Sequence, residues 1–458
     1  MMQQPAPTFR DPAGSLQLFA DRAVRRIRPP YRMEVIDFLE SSLRPELEHS
    51  GRLIASEAQD TETGLLLHHP RVDVPVYPWE WTASQWLAAA ELTLDVCERA
   101  LQDGWILKDA TPLNVLFQGS RPVLVDVLSL ERHNANQSIW QAYGQYVRTF
   151  LLPLLMLRLK QWPLSLSLFR RDGYEPSELL GVLPWRQRWT PSVAWTITLP
   201  ALLERRSGNK PASPRDVSPE ISAQVLRRTL SGLRRRMRRA MPPPRHSAWS
   251  EYTGTATHYD SQAVEEKKLW VGKMLEELAP RKLLDIGANT GEYSLLAARL
   301  GIDVVALERD AAAAEQLYCS SRAQQLPILT IHADLSRPTP SVGWDNSEYS
   351  SLMQRLEDRF DVVMLLAVIH HLLLMEQIPL QVIVDQCLRL TQRYLIIEWV
   401  PVEDPMYQDF MRGRMSLYGH LSEADLLAAC GTKATLLRRD VLSNGRVLLL
   451  LEKRFPTC

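Results

Sequence analysis

The residues best suited to chemistry stand together in the short sequence DIGANTG, which contains Asp285, Gly287 and Gly291. An apolar run from Lys282 to Ile286 leads into it, and a second apolar run ends at Glu308. Glycine lets a backbone approach a ligand closely, and a carboxylate can accept hydrogen bonds from two ribose hydroxyls. Together these residue types indicate a site for a nucleotide or nucleoside.

The elements that must position this turn are a strand before it, a helix after it and a second strand that ends at the acid. Tyr293 to Leu300 has helical character, and Val304 to Leu307 is apolar. Because parallel strands need a crossover, this order predicts a doubly wound α/β sheet with the ligand at the carboxyl ends of its strands. A dinucleotide site is the weaker alternative, since Asn289 stands where the G-x-G-x-x-G spacing requires glycine.

DIGANTG resembles the first motif of the class I S-adenosylmethionine-dependent methyltransferases, Asp-x-Gly-x-x-x-Gly. The resemblance implies a Rossmann-like sheet with helices on both faces and S-adenosylmethionine as the cofactor. It implies that Glu308 holds the ribose and that Asp334 accepts a hydrogen bond from the adenine amino group. It also implies that the methyl group is delivered beside Leu366, in a fourth strand that runs through Phe360 to Leu374 into a turn. The implied cofactor-binding residues are Asp285, Gly287, Asn289, Gly291, Glu308, Asp334 and Leu366.

Two adjacent histidines, His370 and His371, are the catalytic candidates. A histidine with a near-neutral pKa can take the proton from a hydroxyl, amine or acid nucleophile during methyl transfer. Packing or contact with the cofactor is the alternative role. Further along, Glu398, Glu403 and Asp404 follow the fifth predicted strand, where they either bind a substrate cation or metal or cap a turn.

The N-terminal half contains a second constellation, in which Asp109 and Asn114 are followed by a predicted hairpin that carries Asp126. It resembles the catalytic loop and metal loop of protein-kinase-like and aminoglycoside-phosphotransferase-like folds, where these residues are a base and two magnesium ligands. No lysine precedes Lys108, however, and no glycine-rich phosphate loop is present. The resemblance therefore implies a degenerate kinase-like module; the alternative is a hairpin whose polar side chains cap turns.

The sequence predicts an α+β, mostly helical kinase-like domain over residues 1–203, a linker over 204–248, and a methyltransferase domain over 249–458. The linker is rich in proline and contains an arginine run between Arg227 and Arg239. Such a run either grips the phosphates of RNA or forms a solvated helix that pairs with acidic residues. We favour the second interpretation, because no aromatic residues for base stacking are interleaved with the arginines.

Aromatic residues are frequent between residues 139 and 199, and we expect them to lie mainly in the core of the helical lobe. They include Trp140, Tyr143, Tyr146, Trp162, Trp185, Trp189 and Trp195. Another group, Trp249, Tyr252 and Tyr259, precedes the first strand of the methyltransferase domain and either folds over the cofactor or packs in its core.

Charge and composition exclude some classes of protein but do not indicate a binding partner. The 53 basic and 53 acidic residues balance, and the five cysteines lack the paired spacing of a zinc site or disulfide framework. We therefore expect no metal and a cytoplasmic protein. The N-terminus lacks the apolar core of a secretory signal, and no apolar run reaches the roughly 18–20 residues of a membrane span. The adjacent His68 and His69 would point apart on a strand, which disfavours a metal pair.

The function predicted from this pattern is methyl transfer from S-adenosylmethionine to a small-molecule or glycan acceptor, with the N-terminal module recognising the substrate. The combined pattern resembles bacterial two-part methyltransferases of the nodulation-protein-like type. The alternatives are an RNA- or ribosome-directed methyltransferase that uses the basic helix, a kinase–methyltransferase fusion, and a noncatalytic cofactor-binding scaffold. The sequence predicts neither the acceptor atom nor the oligomeric state.

Overall fold

The computed structural model describes residues 11–62, 64–207, 217–245, 247, 261–411 and 413–455. The chain divides into two compact units. The first comprises residues 1–243 together with 342–349, and the second comprises 244–341 together with 350–458. None of the helices in the described ranges combines the length and the apolar character needed to span a membrane.

The first unit contains a four-stranded antiparallel sheet and two short antiparallel strand pairs. Its strands are β1 Gly14–Leu18, β2 Arg22–Ile27, β3 Glu57–Thr61, β4 Gly64–Pro70, β5 Trp105–Leu107, β6 Val115–Gln118, β7 Arg121–Leu124 and β8 Leu130–Arg132. The sheet has the order β1-β2-β4-β3, while β5 pairs with β8 and β6 pairs with β7. On β4, His68 contacts Gln59 and the buried His69 contacts Ser56, so the two rings point apart as predicted.

The rest of the first unit is mainly helical. Its helices are α1 Arg32–Leu39, α2 Leu43–His49, α3 Ala83–Gln102, α4 Tyr143–Tyr146, α5 Leu152–Lys160, α6 Pro176–Val182, α7 Trp185–Arg188, α8 Pro191–Val193, α9 Leu199–Ser207 and α10 Pro219–Ala240. Short 3-10 turns cover Pro29–Tyr31, Pro78–Glu80, Pro112–Asn114, Val127–Ser129 and Leu164–Leu168, and π turns cover Val147–Leu151 and Ala194–Thr198. The 3-10 turn Trp344–Asn346 also belongs to this unit.

The arginine run lies on α10, which belongs to the first unit. One face of the helix is apolar and buried, with Leu226, Leu230, Leu233 and Met237 at helical spacing. Arg234 pairs with Asp95 and Glu98 of α3, and Arg238 pairs with Glu91 of the same helix at 2.6 Å. These contacts fit the favoured interpretation of a helix that pairs with acidic residues.

The expectation that the aromatic residues between 139 and 199 fill the core is only partly correct. Trp140 and Tyr146 are buried, but Trp185, Trp189 and Trp195 have 60% or more of their surface exposed. The difference has a local cause, because residues 183–198 form only short helices and turns, which present few continuous faces for burial.

The second unit is built on a seven-stranded sheet. Its strands are β9 Lys282–Ile286, β10 Asp303–Glu308, β11 Ile328–His332, β12 Phe360–Leu365, β13 Thr391–Trp399, β14 Ala434–Val441 and β15 Val447–Lys453. The order is β11-β10-β9-β12-β13-β15-β14. The first five strands in this order, from β11 through β13, pair in parallel with one another, and β15 is antiparallel to both of its neighbours. The predicted mostly parallel α/β sheet with a closing antiparallel pair is confirmed.

Helices connect these strands. They are α11 Ser261–Leu278, α12 Glu292–Arg299, α13 Ala311–Ala323, α14 Leu352–Leu356, α15 Ile369–Leu374, α16 Leu380–Leu390, α17 Pro405–Met411, α18 Met415–Tyr418 and α19 Glu423–Cys430. From β9 the chain moves outward through β10 to β11, then returns to β12 and continues in the opposite direction. Since parallel crossovers are right-handed, the two directions put helices on opposite faces of the sheet. A ligand crevice is expected where the direction reverses, above β9 and β12.

The fourth strand of this sheet is shorter than the sequence suggested. The prediction continued it through Phe360 to Leu374, but β12 ends at Leu365 and the short helix α15 begins at Ile369. Between them Ala367 has a φ of +55°, which takes the backbone out of the strand. The continuous apolar run concealed this boundary, because a buried strand and a buried helix look alike when every residue is apolar.

Candidate cofactor and acceptor site

A cavity of about 590 Å³ lies at the carboxyl ends of the parallel strands of the second unit. Its volume is within the range of small-molecule sites. Most of the residues predicted for the site line it. They are Asp285, Gly287, Asn289, Glu308, Asp334, Leu366, His370 and His371. Residues 249–260, including Tyr252 and Tyr259 of the predicted cofactor-covering segment, lie outside the described residues.

The turn after β9 depends on its two glycines. Gly287 has a φ of +73°, and a Cβ there would lie 2.4 Å from Cγ2 of Val368. Gly291 has a φ of +92°, and a Cβ there would lie 2.2 Å from Cδ1 of Leu317. Because Gly287 has no side chain, its backbone borders the cavity directly. Gly291 is not a lining residue; it permits the close packing of the turn against α13.

Glu308 at the end of β10 faces the cavity and is 7% exposed. Its two carboxylate oxygens accept hydrogen bonds from the backbone N–H groups of Asn289 and Asp310, each at 2.7 Å. Burial raises the pKa of Glu308, and these two N–H donors oppose the rise. The buried Oδ1 of Asn289 has no hydrogen-bond partner, so the turn presents an unsatisfied acceptor atom.

Asp285 and Asp334 are held in different ways. Asp285 is fully buried and accepts a hydrogen bond from the Ser294 hydroxyl at 2.6 Å. Burial raises the pKa of Asp285 to about 6, although Ser294 and Lys267 act to lower it. Asp334 follows β11 and accepts from the backbone N–H and the hydroxyl of Ser336 through one oxygen. Both carboxylates line the cavity on the same half of the sheet as Glu308.

His370 and His371 lie on α15 with their ring centroids 4.2 Å apart, beside Phe410. Burial lowers the pKa of His371 to about 4, and Arg309 and Arg446 contribute to the fall. Burial, followed by His371, Arg446 and Lys267, also holds the pKa of His370 well below its usual value. Both rings are therefore neutral at neutral pH, and Nδ1 of His370 is buried without a hydrogen-bond partner.

A buried ionic group joins Glu398 and Asp404, two acids that the sequence marked, to two cations that the sequence did not predict. Lys267 on α11 donates to Glu398 at the end of β13, and Arg446 donates to the same carboxylate at 3.3 Å. Arg446 also donates to Asp404 at 2.8 Å. Burial raises the pKa of Glu398, but Lys267 and Arg446 outweigh it and hold that pKa below its usual value. We call these four residues the ionic quartet; only its two cations line the cavity.

Besides the two acids, one cation of the ionic quartet left a trace in the sequence. Lys267 is four residues after the buried Ala263 and four before the buried Val271, so a lysine occupies the apolar stripe of α11. Such a lysine is rarely buried unless it is paired, and its position could have indicated a partner. Arg446 is preceded by a turn and has no comparable pattern.

The predicted residues of the first unit are arranged differently. Asp126 forms an ion pair with Arg25 of β2 at 3.1 Å, and Arg25 also pairs with Asp11 at 2.9 Å. Burial raises the pKa of Asp126, although Arg25 acts to lower it. Asp109 has only a long contact of 3.5 Å with Gln145. The described residues contain no cluster of three His, Cys, Asp or Glu side chains that could hold a metal ion.

Comparisons with known proteins give one curated relative along nearly the whole chain. No protein-family model matches. The chain is similar to Nodulation protein NoeA of Rhizobium meliloti (strain 1021), with 27% identity over 473 residues that cover 98% of this chain and 96% of the relative. This likeness agrees with the nodulation-protein-like pattern noted in the sequence.

Solved structures align with less than half of the chain. The N-methyltransferase NodS from Bradyrhizobium japonicum WM9 has 13% identity, covers 43% of this chain and 99% of its own, and gives a TM-score of 0.32. Magnesium protoporphyrin IX methyltransferase (ChlM) from Synechocystis PCC 6803 has 14% identity, covers 45% of this chain and 98% of its own, and gives a TM-score of 0.32. The α/β fold described above rests on the observed strand order and directions.

Proposed function

We propose that this protein is an S-adenosylmethionine-dependent methyltransferase that acts on a small-molecule or glycan acceptor, at oxygen or nitrogen. The observation that carries the proposal is the convergence of the glycine turn, Glu308 and Asp334 on one cavity at the point where the sheet reverses direction. The parallel order of β9, β10 and β11 brings these strand ends to one rim, where polar groups of the types that bind a nucleoside face the same cavity.

The cavity fits the cofactor in chemical detail. Gly287 has no side chain to fill the space beside Glu308, and the unpartnered Oδ1 of Asn289 provides a hydrogen-bond acceptor there. The carboxylate oxygens of Glu308 keep further lone pairs for ribose hydroxyls. Asp285 supplies an acid near the glycine turn, which suits the ammonium of the amino-acid end. Leu366 gives the cavity an apolar wall.

When bound, S-adenosylmethionine supplies a methyl group on an already activated sulfonium. The protein's own residues then have to align the acceptor and exclude water. Val368 and Leu366 present apolar surface after β12, and His370 and His371 face the same region. The histidines either take a proton from the acceptor or contact it as neutral rings.

Calorimetry with S-adenosylmethionine tests the proposal. We expect one site per chain, with an affinity in the micromolar range, and no binding of a dinucleotide such as NAD. If S-adenosylmethionine does not bind the full chain, the proposed function is wrong. Magnesium–ATP is the matched probe for the kinase–methyltransferase alternative, and we expect none to bind.

We further propose that the first unit recognises substrate without phosphotransfer. The Arg25–Asp126 ion pair supports this proposal, because Asp126 would have to give up its pairing with Arg25 before it could bind magnesium. Binding of magnesium–ATP to the full chain would contradict it.

A further inference from the structure

The cavity has two halves of different charge, and the strand order defines them. Asp334 follows β11, Glu308 ends β10 and Asp285 lies near the end of β9, so carboxylates mark that half of the rim. The opposite half lies over β13 and β15. Because β15 is antiparallel, its first residues lie at this same rim, where Val447 pairs with Trp399.

The second half presents cations. Lys267 and Arg446 line the cavity, whereas their partners Glu398 and Asp404 stand behind them and do not. All four side chains are at most 8% exposed. Their charges cancel as a set. The sulfonium of the proposed cofactor would add one positive charge that the ionic quartet does not offset.

No carboxylate among the described lining residues is placed on this half to act as a base. Glu292 begins the helix after the glycine turn, on the β9 side, and Glu376 is held by Arg309 and Arg337 at 3.3 Å and 2.8 Å. The histidines remain, but a protonated His370 would stand beside Arg446 and Lys267, and a protonated His371 beside Arg309 and Arg446. An acceptor that must lose a proton would therefore find no ready base here.

We infer that the acceptor is a small carboxylic acid, methylated on its carboxylate oxygen, with the cationic groups of Lys267 and Arg446 facing that carboxylate. The inference rests on the proposed function and narrows its acceptor. The carboxylate oxygen forms a bond to the methyl carbon while the sulfur–methyl bond breaks, which gives a methyl ester and a neutral thioether. No proton is released.

Two physical effects favour this acceptor. A carboxylate is already ionised at neutral pH, so neutral histidines suffice as contacts. The attraction between the sulfonium and the carboxylate is strongest where the effective dielectric is low, so a buried cavity favours binding of this acceptor. Transfer of the methyl group then removes one positive and one negative charge from the cavity. An amine acceptor would instead arrive as an ammonium beside the uncompensated sulfonium, or would have to lose a proton first.

Binding provides the first test, without turnover. The full chain loaded with S-adenosylhomocysteine is titrated with cinnamate, cinnamyl alcohol and cinnamylamine, which match in size, and with decanoate, decanol and decylamine. We expect each acid to bind at least about tenfold tighter than its matched alcohol and amine, since the charged hydrogen bonds are lost in the alcohol. Equal or weaker binding of both acids overturns the inference.

Product chemistry provides the second test. With S-adenosylmethionine labelled in the methyl group, label transferred to the acids should be released as methanol by mild base, because a methyl ester hydrolyses there. Label that resists base, or label found mainly in the amines or alcohols, overturns the inference. If the cofactor binds but acids show no preference, the acceptor assignment alone fails; if the cofactor does not bind, the proposed function fails.

Variants locate the anion contact. Arg446→Gln should weaken acid binding about tenfold or more while S-adenosylhomocysteine affinity is unchanged, and Arg446→Lys should restore part of the loss. Arg438→Gln is the control, since Arg438 is on the neighbouring β14, exposed and paired with Glu277. Should Arg446→Gln fail to fold, the Lys variant and the acid–alcohol comparison still decide. Unchanged acid binding in a folded Arg446→Gln overturns the role of Arg446.

Discussion

The two units each carry a set of acids that the sequence marked as chemically capable, and the two sets have different surroundings among the described residues. In the second unit, Asp285, Glu308 and Asp334 border about 590 Å³ of space. In the first unit, Asp126 is paired with Arg25, and the adjacent cavity measures about 10 Å³. The comparison indicates that acids marked by the sequence can serve a ligand only where they border space for one.

The largest effect is expected from removing the ion pair of the first unit. Arg25→Gln leaves Asp126 and Asp11 without their cation, and we expect a loss of about 2–4 kcal/mol in the free energy of unfolding, measured by denaturant titration. Arg22→Gln on the same strand is the control, because Arg22 is exposed and pairs only with Asp21 at 3.9 Å. If Arg25→Gln gained magnesium–ATP binding, Arg25 alone would be preventing the acids of the first unit from binding a ligand. That result would weaken the contrast between the two units.

Gly287→Ala should lower S-adenosylmethionine affinity about 100-fold, or about 2.7 kcal/mol, by calorimetry. The added Cβ would collide with Val368, and the φ of +73° disfavours any side chain. Gly301→Ala separates the two causes, since Gly301 has a φ of +83° and nothing within 4 Å of its added Cβ. Gly301→Ala should lose stability but keep its affinity; equal loss of affinity in both variants would contradict the role of the cavity wall.

Asp285→Asn should stabilise the cofactor-free protein at pH 7.5 by about 2–3 kcal/mol. The pKa of Asp285 is raised to about 6 in the folded state, from 3.8 in the unfolded chain, so its ionisation destabilises the fold as pH rises through 6. The gain should therefore shrink between pH 6 and pH 4 and vanish below that. Denaturant titrations across this range measure it, with the exposed Asp303→Asn as a flat control.

The smallest effect is expected at Glu308. Glu308→Gln keeps one oxygen for one of the two backbone N–H groups of Asn289 and Asp310, and turns an amide N–H toward the other. We expect about a tenfold loss of S-adenosylmethionine affinity by calorimetry, because one hydrogen bond to a charged group is lost. The exposed Glu357→Gln should change nothing. An unchanged affinity in Glu308→Gln would argue against contact with the ribose.

Much of the second unit could be predicted from the sequence, because its strands and helices are signalled by patterns among residues close together in the chain. The apolar run before Gly287 and the helical pattern from Tyr293 match β9 and α12 within a residue or two. The boundary after Leu365 was wrong because a continuous apolar run carries no period that distinguishes strand from helix. Trp185, Trp189 and Trp195 were placed in the core because residue type alone does not reveal whether a partner surface exists.

The sequence by itself determined the glycine turn, its flanking strands and the acid that ends the second strand, since backbone preference and periodicity act between near neighbours. Only the tertiary structure decided which charges meet. Lys267 and Arg446 come from opposite ends of the second unit and converge on Glu398, and Arg25 reaches Asp126 across the first. Such pairings follow from how the strands are ordered, and a carboxylate's surroundings decide whether it binds a ligand or neutralises a neighbour.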